Sequence, residues 1–154
     1  MVEALPAWRG VPWTVAGTLV AAMADLTHVE SPRELMKGLG LRPSEASAGE
    51  PRRQGAMTQA GHTPARRVLV DGAWAYRSPA QLSRHWQRRL DHHPTVIQDL
   101  RWKAHVRLWT RDRRLGARGQ HAQVVTVAMA RELTGCMGAM ATEVSVIAED
   151  PDGS

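Results

Sequence analysis

The strongest constraint on this chain is where its prolines fall. Ser31-Pro32, Thr63-Pro64 and Ser78-Pro79 each place a hydroxyl side chain directly before a proline. Such a hydroxyl can accept from a free N–H in a helix's first turn. Proline at the first helical position has no N–H to leave unsatisfied. Each pair therefore predicts a helix start, and in Ser31-Pro32-Arg33-Glu34 the glutamate completes a capping box. Pro12 precedes an Ala-, Val- and Leu-rich run, and His93-Pro94 breaks the chain again before a longer periodic segment.

The segments between these marks read as helices. They are expected over 13–26, from 32 to Gly38 or Gly40, from 64 to about 77, from 79 to about 92, from 95 to 115 with Gly116 and Gly119 behind it, and over 122–142. Residues 41–62 are dominated by Pro, Ser, Gly and Arg and read as one long loop, with a short hairpin around 54–58. Residues 143–154 read as an acidic flexible tail. The predicted fold class is mainly α: one compact helical domain carrying one long Ser/Gly/Arg-rich loop.

The 154 residues suit a single domain, and 43% hydrophobic content is enough for a core. A lone cysteine, Cys136, excludes a disulfide framework and a cysteine-based zinc cluster, and fits a reducing cytoplasm. No positively charged flank precedes the apolar 11–26 stretch, and Arg131 and Glu132 interrupt the last apolar segment. A cytoplasmic protein with no membrane partner is expected. The net charge of +5 hides a pattern: −1 over residues 1–40, +10 over 41–120 and −4 over 121–154. A basic middle block fits a polyanion partner, and it equally fits a solvated arginine-rich helical surface.

Four constellations could carry chemistry. Residues 7–16 (AWRGVPWTVA) read as a tight turn feeding a helix, like the helix-hairpin-helix elements whose backbone N–H groups grip phosphate. Pro12 removes one such donor, and a plain buried helix fits equally well. The 44–58 loop sets serines among small residues beside Arg52 and Arg53. A hydroxyl there could attack phosphorus while guanidinium groups neutralise the developing charge, although such residues are common in any exposed loop. Arg107, Arg111, Arg114 and Arg118, spaced four, three and four apart, share one helical face, and Arg84 and Arg88 form a similar pair. The seven histidines show no metal-ligand spacing, and no metal site is expected in this chain.

Several strings together carry a resemblance: ESPRELMKGLGLRPSEASAG, PRRQGAMTQAGHTPARRVLVDGAWAYRSPA, VVTVAMARELTG and the opening RGVPWTVAGTLVAAMADL. In this order, across about residues 5–142, they resemble the C-terminal domain of the insertion-sequence 110/116/902 transposases. The resemblance implies an organisation of helix-hairpin-helix-like opening 5–29, serine loop 41–62, basic helices 64–118 and last helix 122–142. It implies a DNA partner, and a structured guide RNA in members whose elements encode one. In the family a RuvC-like half with four acidic residues holds the metal, so no cofactor is expected in this chain. The C-terminal domain supplies a serine that attacks the DNA backbone.

That serine lies in a triplet after a Leu-Gly-Leu-x-Pro string, which here is Leu39-Gly40-Leu41-Arg42-Pro43, and the triplet is Ser47-Ala48-Gly49. Ala48 stands where many relatives have Ser; the resemblance implies Ser47 as the candidate nucleophile, or, where the second triplet position is the family's nucleophile, none in this chain. Gln59 replaces the usual Lys, and His62 the usual Asn. The expected nucleic-acid contacts are Arg52, Arg53, Arg66 and Arg67 near the serine, with Arg84, Arg88, Arg107, Arg111, Arg114 and Arg118 further out. The chain starts where the C-terminal domain starts, so the expectation is a truncated copy, inactive alone. It would self-associate or join a full-length transposase. The alternative is a non-catalytic nucleic-acid-binding module or an inactive remnant.

Overall fold

The computed structural model describes residues 8–24, 32–41, 63–81 and 83–149. They form six α-helices and one 3-10 turn, and no strand occurs among them. In order these are α1 (Trp13–Ala24), α2 (Pro32–Gly38), α3 (Thr63–Ala73), the 3-10 turn Trp74–Arg77, α4 (Arg84–Leu90), α5 (Thr95–Ala117) and α6 (Ala122–Glu149). The mainly helical class expected from the proline pattern holds.

The centre of the fold is α6, which packs against α5, α3 and α2. Val125, Met129, Leu133, Met137 and Met140 recur every three to four residues along it and are buried. This is the spacing of a helix that turns one broad face inward. Thr126 and Thr134 are buried on the same helix, and each hydroxyl donates to the carbonyl four residues back, of Ala122 and Ala130. The segment Ala122–Glu143 has the length and mean hydropathy, 1.2, of a membrane span. Much of its apolar surface is instead spent on the neighbouring helices, with Arg131 and Glu132 at mid-helix.

Small residues let α1 and α3 approach closely. Ala16, Leu19 and Ala22 of α1 and Ala65, Leu69 and Ala73 of α3 belong to the common core. Before α1 the chain makes a tight turn in which the Val11 N–H donates to the Trp8 carbonyl at 3.2 Å. Gly10 in that turn has φ +78°, and a Cβ there would lie 2.4 Å from the Gly72 carbonyl oxygen. A Cβ on Gly72 would lie 2.8 Å from the Gly10 oxygen. The two glycines thus lock the opening turn, backbone to backbone, onto α3. Trp8 is buried beside them and donates its indole N–H to Met140 Sδ at 3.1 Å, which ties the turn to α6.

The glycine stops predicted from sequence are visible. Gly40 (φ +66°) donates to the Lys37 carbonyl and Leu41 to that of Met36, and Gly119 (φ +73°) and Gln120 repeat the arrangement on Gly116 and Leu115. This pattern satisfies the last carbonyls of a helix through one left-handed residue. Three boundaries differ from expectation. The helix from 64 relaxes into the 3-10 turn at Trp74 rather than running intact to 77. Ser78-Pro79 opens no helix: Ser78 is extended (ψ 147°), the Pro79 carbonyl accepts from Arg9 at 3.1 Å, and α4 starts only at Arg84. Finally, α6 continues to Glu149, because after Gly138 the next helix breaker is Pro151.

Candidate nucleic-acid interface

The arginine stripe lies on α5, whose buried face carries Ile97, Arg101, Ala104, His105 and Leu108. Arg107, Arg111, Arg114 and Arg118 fall on the exposed side, as their spacing requires. The first two are not simply solvated. Glu132, near the middle of α6, reaches both of them. Its Oε1 accepts from Arg107 Nε, and its Oε2 lies 3.0 Å from Arg111 Nη1. That contact raises the Arg107 pKa above its already high ordinary value. Arg114 and Arg118 continue past the pair to the C-terminal end of α5, where the helix dipole favours positive charge.

The other expected arginines sit on separate elements. Arg67 on α3 is exposed, while Arg66 is half-buried and its Nη1 is buried without a hydrogen-bond partner. Arg84 and Arg88 on α4 are exposed. Ser47, Arg52 and Arg53, with the serine loop from residue 42 to 62, lie outside the described residues. At the opening the chain forms the tight Trp8–Val11 turn, pinned against Gly72, ahead of α1.

Sequence reading missed two groups of basic side chains. Arg131 stands alone in an apolar run, and folding α6 onto α5 brings it into one cleft of about 240 Å³ with Arg107, Arg111, Glu132 and Met36. Its Nε is buried without a hydrogen-bond partner. The only sequence signal was that Arg131-Glu132 interrupts the run at all. The second group is Arg9, Arg101 and His105. Arg9 Nη1 lies 3.5 Å from His105 Nε2, and the His105 ring stands edge-on to Tyr76 with centroids 5.1 Å apart.

Arg9 can only donate, so Nε2 faces it as the acceptor nitrogen of a neutral imidazole. Burial, then Arg9 and Arg101, push the His105 pKa down from 6.5 to about 4. Burial also raises the Tyr76 hydroxyl far above its usual value, a shift that nearby Arg101 opposes. Burial lowers Arg101, and Tyr76 partly restores it. This group joins the opening turn, the 3-10 turn and α5 into one interior. Two further cations cover tryptophan faces: Arg77 over Trp74 at 4.8 Å and Arg113 over Trp109 at 5.9 Å. Among the described residues no three His, Cys, Asp or Glu side chains converge on a metal-sized site.

The match to a known family's model falls on the part of the chain before α5. Residues 3–87 match the model of the transposase IS116/IS110/IS902 family, and the chain belongs to that family. It is 42% identical over 143 residues to the "Putative transposase y4qE" of Sinorhizobium fredii (strain NBRC 101917 / NGR234). That match takes in 93% of this chain, which spans 37% of the relative's length. No solved structure matches the chain.

Proposed function

We propose that this chain is a DNA-binding and strand-transfer domain of the transposase type, acting in transposition and recombination of an insertion sequence. The observation that carries this reading is the exposed α5 face bearing Arg107, Arg111, Arg114 and Arg118 in a chain of this family. Glu132 offsets part of the repulsion among these four cations, and a polyanion laid along them relieves the rest. Arg67, Arg84 and Arg88 extend the positive surface. Such contacts read phosphate rather than base sequence, so a structured guide RNA is a second polyanion this surface suits.

The chemistry assigned to Ser47 is nucleophilic. Its hydroxyl gives up a proton, forms a bond to phosphorus and displaces one ester oxygen, which leaves as a hydroxyl. Arg52 and Arg53, with Arg66 and Arg67, would neutralise the charge that grows on the non-bridging oxygens. The metal-dependent part of the family's reaction belongs to a RuvC-like half rather than to the domain described here, and the reaction is placed in the cytoplasm. Ala48 in the serine triplet favours one other reading: a domain that occupies element ends without cutting them.

One experiment separates the two. The protein is incubated with element-end DNA, with and without a separately supplied RuvC-like half, and resolved on a denaturing gel. A covalent adduct lost in Ser47→Ala supports strand transfer through Ser47. An adduct that persists in Ser47→Ala removes that residue, and salt-sensitive binding with no adduct leaves the occupying domain.

A further inference from the structure

The seam between α5 and α6 holds more than an ion pair. Each oxygen of Glu132 faces a different arginine: Oε1 accepts from Arg107 Nε, while Oε2 lies 3.0 Å from Arg111 Nη1 without a hydrogen bond to it. Two non-bridging oxygens of a phosphodiester suit a pair of guanidinium groups in the same way. The carboxylate is the covered partner, with its side chain 10% exposed, while the Arg107 and Arg111 side chains are 72% and 49% exposed. Arg107 uses only its Nε on Glu132, so both terminal nitrogens keep their donors. Beside the pair opens the cleft of about 240 Å³ that Arg131 also lines, with its Nε buried and lacking a hydrogen-bond partner. Three guanidinium groups therefore share the cleft with one carboxylate, which leaves the cleft lining net positive.

We propose that this cleft is a subsite for one backbone phosphate of DNA, and that Glu132 stands in for that phosphate while DNA is absent. The inference rests on the DNA-binding reading given above. A phosphate seated in the cleft accepts from the free terminal nitrogens of Arg107, from Arg111 and from Arg131. Glu132 then repels it at close range, so the carboxylate sets a threshold that weak backbone contacts do not pass. Arg131 becomes a binding residue, and Glu132 a residue that sets how strongly the stripe engages DNA.

The test is fluorescence anisotropy of the full chain with a labelled 20-base-pair duplex of arbitrary sequence, titrated across a salt series, with a single-stranded RNA of equal length as a second arm. Glu132→Gln keeps the shape and removes the charge. It should tighten duplex binding by about threefold or more and steepen the log–log salt slope by about one. Asp112→Asn makes the same charge change on α5 and should give less than half that gain. Arg131→Gln should weaken binding by about threefold in the otherwise unaltered chain, and should erase the gain when added to Glu132→Gln. Circular dichroism confirms that each variant is folded, and Arg131→Gln alone still decides the matter if Glu132→Gln is not.

Glu132→Gln equal to Asp112→Asn, or an Arg131→Gln variant that binds as well as the unaltered chain, overturns the subsite. A gain confined to the RNA arm overturns the assignment to DNA. Failure of the unaltered chain to bind duplex at all removes the DNA-binding reading itself and the subsite with it. Good salt-sensitive binding with no response at Glu132 or Arg131 removes the subsite alone.

Discussion

Gly10 and Gly17 are alike in sequence and opposite in consequence. Gly10 needs a positive φ and has no room for a Cβ against Gly72, whereas Gly17 is an exposed helical position with nothing within 4 Å of its added Cβ. Gly10→Ala should cost about 2–4 kcal/mol in urea unfolding, and Gly17→Ala should add about 0.5–1 kcal/mol. His105 gives a second prediction at this scale. The unfolded chain takes up a proton near pH 6.5, while the folded chain declines it until about 4. Stability therefore falls as pH drops from 6.5 to 4 and levels off below, and His105→Gln should flatten that decline in thermal scans. None of these contacts is local in sequence. Gly10 meets Gly72, and Arg9 meets His105, only because α1, α3 and α5 share a core, so no spacing rule could have found them.

At the scale of elements, the signals that worked were those satisfied within one turn of chain. Pro32 and Pro64 sit at helix starts, and Gly40 and Gly119 close helices, because the backbone groups they serve are their own neighbours'. Ser78-Pro79 carried the same signature and failed, since a distant side chain, Arg9, took the Pro79 carbonyl. The stripe on α5 was legible from its spacing, but its pairing with α6 was not, because Glu132 and Arg131 come from another helix. The arginines of that pairing are exposed, and a glutamine would fill the space of the covered Glu132, so its loss should matter little to folding. Glu132→Gln should change stability by no more than about 1 kcal/mol, whereas Leu133→Ala, one residue on and fully buried, should cost about 2–5 kcal/mol by the same urea assay.

For the whole molecule, the uneven charge has a structural form. The basic middle of the chain includes α3, α4 and α5, and the acidic end includes α6, whose Glu132 reaches back to the stripe. The mainly helical class and the family were both readable from sequence, the first from periodicity and punctuation, the second from long quoted strings. The serine loop was readable only as a loop, and Ser47 lies outside the described residues, so its chemistry rests on resemblance. The account stands on the claim that the outward arginines of α5 hold DNA by its phosphates. The most direct test is the salt dependence of duplex binding by the full chain and by an Arg114→Gln, Arg118→Gln double variant. A log–log slope of about −3 to −4, reduced by about 2 in the double variant with similar loss on unrelated sequences, is the predicted result. A slope near zero, or a double variant that binds as tightly as the unaltered chain, would contradict it.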